Sequence, residues 1–290
     1  MDTIKFTKTL SGIPNVFKTD EYRVEWQNLT WKKKGDFKYS TTIKNLYIQL
    51  KYDNLSITNS LHEFKHGDNF SIFTFVHLKE ALEELNTYFT FDIYDLDVIK
   101  FTPGLVVEAT PEDSYETWLH YKSKKLLDMP DGNKAYGKSI KTGDIKIKGY
   151  NKTYQINKKN HIEHKLTDPQ FRLEAEMNAK YVAKNHGLSI LKVSDLADYK
   201  KYCKSLDLLL KLYDEINKDH IDYSKLSCNQ FRTLGIFLDD KMFSSYKKYH
   251  PHSYKKDNKI FKSIIEDKSY TKTDTTRSSI VDMMNTMKKN

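Results

Sequence analysis

Two tyrosines and a lysine alternate in the segment Tyr150-Asn151-Lys152-Thr153-Tyr154. A tyrosine oxygen can attack a DNA phosphodiester and carry the 5′-phosphate as a covalent intermediate. A free phenol ionises only near pH 10, so such a nucleophile needs a cation or metal beside it. On a strand, Lys152 shares a face with Tyr150 and Tyr154, and the spacing does not choose between the two phenols. The chain holds 20 tyrosines, so packing is the competing role for each. A second constellation is Arg172-Leu173-Glu174-Ala175-Glu176, which turns three charged groups to one side of a strand. Glu174 and Glu176 are then candidates to hold a divalent metal, with Arg172 on a phosphate. An exposed face with a cross-strand ion pair is the alternative.

Histidines offer a third possibility. His62 and His66 are spaced i, i+4, and His161-Ile162-Glu163-His164 is an HxxH. Neither has the HExxH form, and both sit in polar, turn-like surroundings that predict solvated rings. Tyr181-Val182-Ala183-Lys184 would set a tyrosine and a lysine on one helical face.

The elements that must position these groups follow from periodicity. Residues 20–58 alternate with period two, as in Tyr22–Leu29 and Lys44–Leu50, and predict strands. Val76, Leu78, Leu82 and Leu85 change to helical spacing over 75–89. Extended runs follow at Ile93–Phe101 and Leu105–Ala109, broken by Pro103-Gly104. Pro111 and its trailing acids predict a helix over 112–127. The run from Asp144 to Lys148 alternates as a strand, and Phe171–Met177 reads as a central one. Residues 194–217 are helical, short helices occupy much of the last 60 residues, and a polar, mobile tail is expected from Asp267. The sequence thus predicts an α+β chain: an antiparallel sheet with packed helices, then a mostly helical C-terminal region. Its expected divisions are 1–193, 194–266 and 267–290.

The net charge is +9, but it is unevenly placed. Residues 79–117 carry −8, whereas 121–165 carry +8 and 241–290 carry +7. Basic segments attract polyanions by releasing condensed counterions. Tyr246, Tyr249 and Tyr254, interleaved with lysines, could stack on unpaired bases; a lysine-rich solvated surface is the bland alternative. With two cysteines, a disulfide framework or a cysteine-built zinc site is excluded. There is no Gly-rich phosphate loop, which argues against nucleotide hydrolysis and dinucleotide chemistry. No apolar run approaches the roughly 18–20 residues of a membrane span, and the N-terminus lacks a secretory h-region. A soluble, cytoplasmic protein is expected.

From about Asn59 to Glu215 the chain resembles phage and plasmid replication initiators of the filamentous-phage gene II/X type, in their Bacteroidetes-like branch. The resemblance rests on Ser60-Leu-His-Glu-Phe, His66-Gly-Asp-Asn-Phe, Phe73-Thr-Phe-Val-His-Leu, Ile147-Lys-Gly-Tyr-Asn-Lys-Thr-Tyr-Gln, Phe171-Arg-Leu-Glu-Ala-Glu-Met and the stretch from Tyr181 to Leu196. It implies a relaxase-like core and rolling-circle initiation: a metal-dependent nick, a tyrosyl–DNA intermediate and rejoining. Mg²⁺ or Mn²⁺ would be the cofactor, with DNA and a helicase as partners. Tyr150 is then the candidate nucleophile, with Tyr154 as its rival and Lys152 and Arg172 assisting. Lys146, Lys148, Lys158 and Lys159 would hold DNA. Where the family carries an acid before the glycine and an asparagine after it, this chain has Thr102-Pro103 before Gly104 and Val106 at the asparagine position. Glu108 would then have to substitute for that acid at the metal, with Glu174 the first choice of ligand and Glu176 or Glu108 the second. Asn151 replaces the family's usual Asp. A non-catalytic DNA-binding protein of the same fold is the alternative.

Overall fold

The computed structural model describes residues 3–12, 14, 23–27, 29–36, 38–111, 114–122, 124–132, 134–159, 167–219, 221–267 and 274–289. The alternating N-terminal segments become β1 (Thr3–Thr9), β2 (Arg23–Trp26), β3 (Leu29–Gly35), β4 (Lys38–Ile43), β5 (Leu46–Lys51) and β6 (Asn54–Ser60). Ser60 caps α1 (Leu61–His66) by accepting the Glu63 amide, and Gly67 ends it at φ 77°, a left-handed conformation that glycine adopts freely. The 75–89 periodicity appears as α2 (Phe75–Asn86), with Leu78, Leu82 and Leu85 buried. Strands β7 (Asp97–Phe101) and β8 (Gly104–Glu108) lie on either side of the Pro103 break.

These strands join β11 (Leu127–Asp131), β12 (Lys134–Thr142), β13 (Ile145–Asn151) and β14 (Gln170–Asn178) in one antiparallel sheet. Its order is β11-β12-β13-β14-β7-β1-β6-β5-β4-β3-β2, with β8 also paired to β14. The expected α+β architecture and the central place of Phe171–Met177 are both present. One face is the core: Ile4, Phe6, Leu55, Ile57, Ile48, Leu50, Tyr39 and Trp31 are all nearly inaccessible. Ile147, Leu173, Ala175 and Met177 continue that face.

Three expectations need correction. The described residues within 112–127 do not form the expected helix: a single 3-10 turn (Tyr115–Thr117) leads into β9 (Trp118–Tyr121) and β10 (Lys124–Lys125). Tyr115, Trp118 and Tyr121 recur every third residue and so imitate a helical stripe, but all three are buried from a turn and a strand. The strand at Tyr150 ends one residue later, because the Asn151 side chain accepts the Tyr154 amide at 2.8 Å. That cap starts α3 (Lys152–Lys159), so Lys152 and Tyr154 do not share a strand face with Tyr150. Finally, residues 275–288 form a helix rather than a mobile tail.

The chain divides into a unit of residues 1–217 with 276–290 and a second of 218–275. In the first unit, α4 (Ala179–His186), α5 (Val193–Leu196) and α6 (Tyr199–Asp214) complete the core with Val182, Leu196, Leu209 and Leu212. In the second, α7 (Cys228–Leu238), α8 (Asp240–Tyr249) and α9 (Pro251–Glu266) gather aromatic rings. Phe237 stacks on Tyr254 at 5.7 Å and on Phe261 at 4.9 Å. Tyr254 and Tyr246 are thus part of this packing, while Tyr249 is exposed. The last helix, α10 (Thr275–Lys288), returns to the first unit, burying Ile280, Met284 and Met287. Arg277 grips Asp214 there with two bonds of 2.8 and 2.9 Å. Among the described residues no helix is long and apolar enough to cross a membrane.

Gly149, on the core side of β13, faces the buried ring of Trp118. A Cβ there would fall 2.3 Å from Trp118 Cη2. Gly149→Ala should therefore lower stability by about 1–3 kcal/mol through overpacking, read as a lower urea midpoint at unchanged slope.

Candidate functional site

The pairing of β13 with β14 sets Tyr150 opposite Arg172, Lys148 opposite Glu174 and Lys146 opposite Glu176. Side chains on directly opposed residues share a face, so the two sequence constellations meet on the sheet face away from the core. Glu174 is their centre. One carboxylate oxygen accepts from Lys148 Nζ at 2.5 Å; the other accepts from Arg172 Nε at 3.0 Å and the Tyr150 hydroxyl at 3.3 Å. Arg172 and Glu174 are only 2 % and 4 % exposed. Gly104 lies opposite Glu174 on β8, and a Cβ there would come within 3.2 Å of the Glu174 Cβ.

Asn69, in the loop after α1, closes this end. Its carbonyl accepts from the Arg172 guanidinium, and its side-chain oxygen accepts from Lys152 Nζ at 2.7 Å. Lys152 also donates to Gln155 at 2.8 Å. The loop is itself ordered by Asp68, which accepts the Phe70 and Ser71 amides at 3.0 and 2.9 Å. Those amides help hold the Asp68 carboxyl below its usual pKa, against the opposing effect of burial.

Across α3 lies a different arrangement. Tyr154 is 36 % exposed, against 5 % for Tyr150. Its hydroxyl donates to Asp131 Oδ2 at 2.7 Å, and Lys158 pairs with the other oxygen of the same carboxylate. Tyr154 and Lys158 are four residues apart on the helix and so stand one above the other. Tyr136 stacks on Tyr154 with ring centroids 5.9 Å apart and meets Tyr150 edge-on at 6.1 Å. Pro130, Asp131, Tyr136, Tyr154, Gln155 and Lys158 line an open cleft at this point. Gln155 also lines the neighbouring pocket that contains Asn69 and Lys152, so the two recesses adjoin across α3.

The structure brings Tyr150, Arg172, Glu174 and Lys148 into one buried cluster, and Tyr154 and Lys158 into an exposed one. It does not assemble the three expected metal carboxylates. Glu174 is committed to two cations and a phenol. Glu176 accepts from Lys100 at 2.8 Å, and this bond holds its carboxyl below the usual range. Glu108 lies opposite Gln170, four residues along β14 from Glu174, or about 13 Å away. No group of three His, Cys, Asp or Glu among the described residues is arranged to hold a metal. These side chains do not fit a divalent-metal cradle.

Among the expected DNA-binding lysines, Lys148 points into the cluster, Lys158 is 58 % exposed, and Lys146 stands directly opposite Lys141. The Lys159 side chain and the His161–His164 motif lie outside the described residues. His62 is buried rather than solvated: it stacks on Phe73 at 4.8 Å and bonds Ser71 at 3.0 Å. Tyr181 packs against the core, while Lys184 is exposed. Asp131, Tyr136, Asn69 and Gln155 are the residues that sequence reasoning passes over. Asp131 sits in a turn-rich stretch, where an acid reads as a turn former.

No family model matches the sequence, and no curated protein matches it.

Proposed function

We propose that this chain binds DNA and cuts and rejoins one strand through a tyrosine, as a replication initiator of the rolling-circle type would. The observation that carries this reading is the exposed Tyr154 hydroxyl held on the Asp131 carboxylate, with Lys158 on the same group. Burial favours Tyr154 over Tyr150 as nucleophile, since a phosphodiester reaches a phenol only at the surface.

In the reaction, the Tyr154 oxygen forms a bond to phosphorus while its proton passes to Asp131. The bond from phosphorus to the 3′ oxygen breaks, and that oxygen leaves as a hydroxyl by taking a proton from water, whose hydroxide takes up the proton held on Asp131 and restores the carboxylate. Tyrosine then carries the 5′-phosphate. Rejoining is the reverse: the 3′ hydroxyl attacks phosphorus, and the phenol is released. The Lys158 ammonium lies where it can oppose charge building on the phosphoryl oxygens. Lys141 and Lys146, directly opposed on the adjacent strands, lose their mutual repulsion when a phosphate lies between them. Because the acids named for a metal do not converge, no step is assigned to one.

The test is a denaturing gel after incubation with single-stranded DNA from the chain's own replication origin, with Mg²⁺ or Mn²⁺ present. A covalent protein–DNA band that disappears with Tyr154→Phe supports the reading. A second reading, binding without cutting, draws on the buried Tyr150 hydroxyl and the engaged Glu174 carboxylate. It requires that no band form with any tyrosine present, while DNA is still retained at low salt.

A further inference from the structure

We propose that the open sheet face running from β7 to β2 is a docking surface for the backbone of double-stranded DNA, an inference that rests on the DNA-binding reading above. The strand registers put one set of side chains on this face. Lys5, Thr7, Ser56, Thr58, Tyr47, Gln49 and Thr42 belong to it, and the hydrophobic residues between them turn to the core.

Its basic residues are arranged in an unusual way. Lys5 stands directly opposite Lys100, Lys38 opposite Lys51, and Arg23 opposite Lys32. Like charges in directly opposed positions destabilise a sheet unless an anion lies over them. The acids on this face do not cancel the excess. Glu176 pairs with Lys100, Asp97 with Lys192, and Glu25 accepts from Thr30. Six basic groups therefore face three carboxylates, and the Lys38–Lys51 and Arg23–Lys32 pairs lie on strands away from Glu176 and Asp97.

Dimensions and chemistry favour a duplex. Six strand spacings of about 4.8 Å separate β7 from β2, or about 29 Å, enough to follow eight or nine base pairs. Serine and threonine hydroxyls between the cations suit phosphate oxygens. Tyr47, 40 % exposed, is the aromatic ring on this face among the described residues of these strands. A single strand would be expected to stack on a series of rings, which this face lacks.

Charge reversal of one lysine separates docking from folding. Lys51→Glu turns the Lys38–Lys51 repulsion into attraction, so its melting temperature should equal or exceed that of the parent chain. Affinity for a labelled 20-base-pair duplex, read by fluorescence anisotropy with the full chain, should nevertheless fall about tenfold. The slope of log affinity against log salt should become shallower by about one. Should Lys51→Glu melt lower than the parent, Lys51→Gln is judged by the same loss of affinity and slope. Unchanged affinity and slope in a folded variant overturn the proposal, as does a duplex bound no more tightly than a single strand of equal length. Covalent-band formation by the same proteins keeps the two readings apart. A band with unchanged duplex binding by Lys51→Glu overturns only the docking surface. No band, with duplex binding weakened, supports the surface and counts against strand cutting.

Discussion

Glu174→Gln should cost about 3–5 kcal/mol of folding stability, as much as truncating a large buried aromatic side chain. The substitution keeps the size of the side chain and removes the charge that Arg172 and Lys148 share. Both Arg172 and Glu174 are almost wholly inaccessible, so water cannot take over the lost partner. A domain is commonly stable by about 5–15 kcal/mol, so such a change would remove a large fraction of the total. The reading is a much lower urea midpoint at a similar slope. Arg172→Met should be milder, because Lys148 and the Tyr150 hydroxyl still bond to Glu174. A loss below about 1 kcal/mol for Glu174→Gln would mean that the cluster is solvated, as exposed ion pairs are.

The second large effect is on the reaction. Asp131→Asn should slow covalent-complex formation about 100- to 10,000-fold, the range for loss of a general base, while DNA affinity changes little. Asparagine can still accept the Tyr154 hydroxyl but takes up its proton poorly. Tyr154→Phe should abolish the complex altogether. Tyr150→Phe should leave its rate within a fewfold of the parent and act on stability instead, because that hydroxyl bonds to the buried Glu174. Rate of complex formation and affinity, measured on the same preparations, separate chemistry from binding.

Much of the sheet is legible along the chain because one face of each strand is apolar. Phe171-Arg-Leu-Glu-Ala-Glu-Met announces both its period and its central position, and the Arg172–Glu174–Glu176 face follows from that period alone. Asn151 shows where such reading stops. It both closes a strand and caps a helix, and the change of period at one residue separates Tyr154 from Tyr150. The meeting of Tyr154 with Asp131 spans 23 residues, and Arg172 meets Asn69 across 103. Contacts of that range depend on register and crossover, which local spacing does not encode. The C-terminal helix is hidden for another reason. Its average polarity suggests a tail, yet Ile280, Met284 and Met287 fall at helical intervals and find a core already built by distant strands. His62 likewise reads as solvated beside charged neighbours, but Phe73 arrives from the next helix approach to cover it.

The most direct test of the account is to digest the covalent complex formed on single-stranded origin DNA and identify the nucleotide-bearing peptide by mass spectrometry. A nucleotide on Tyr154, with no complex from Tyr154→Phe, is the expected result. Attachment to Tyr150 or Tyr136 would contradict the choice of nucleophile and the role given to Asp131. A failure to form any complex, with DNA still bound in a salt-dependent way, would contradict strand cutting itself.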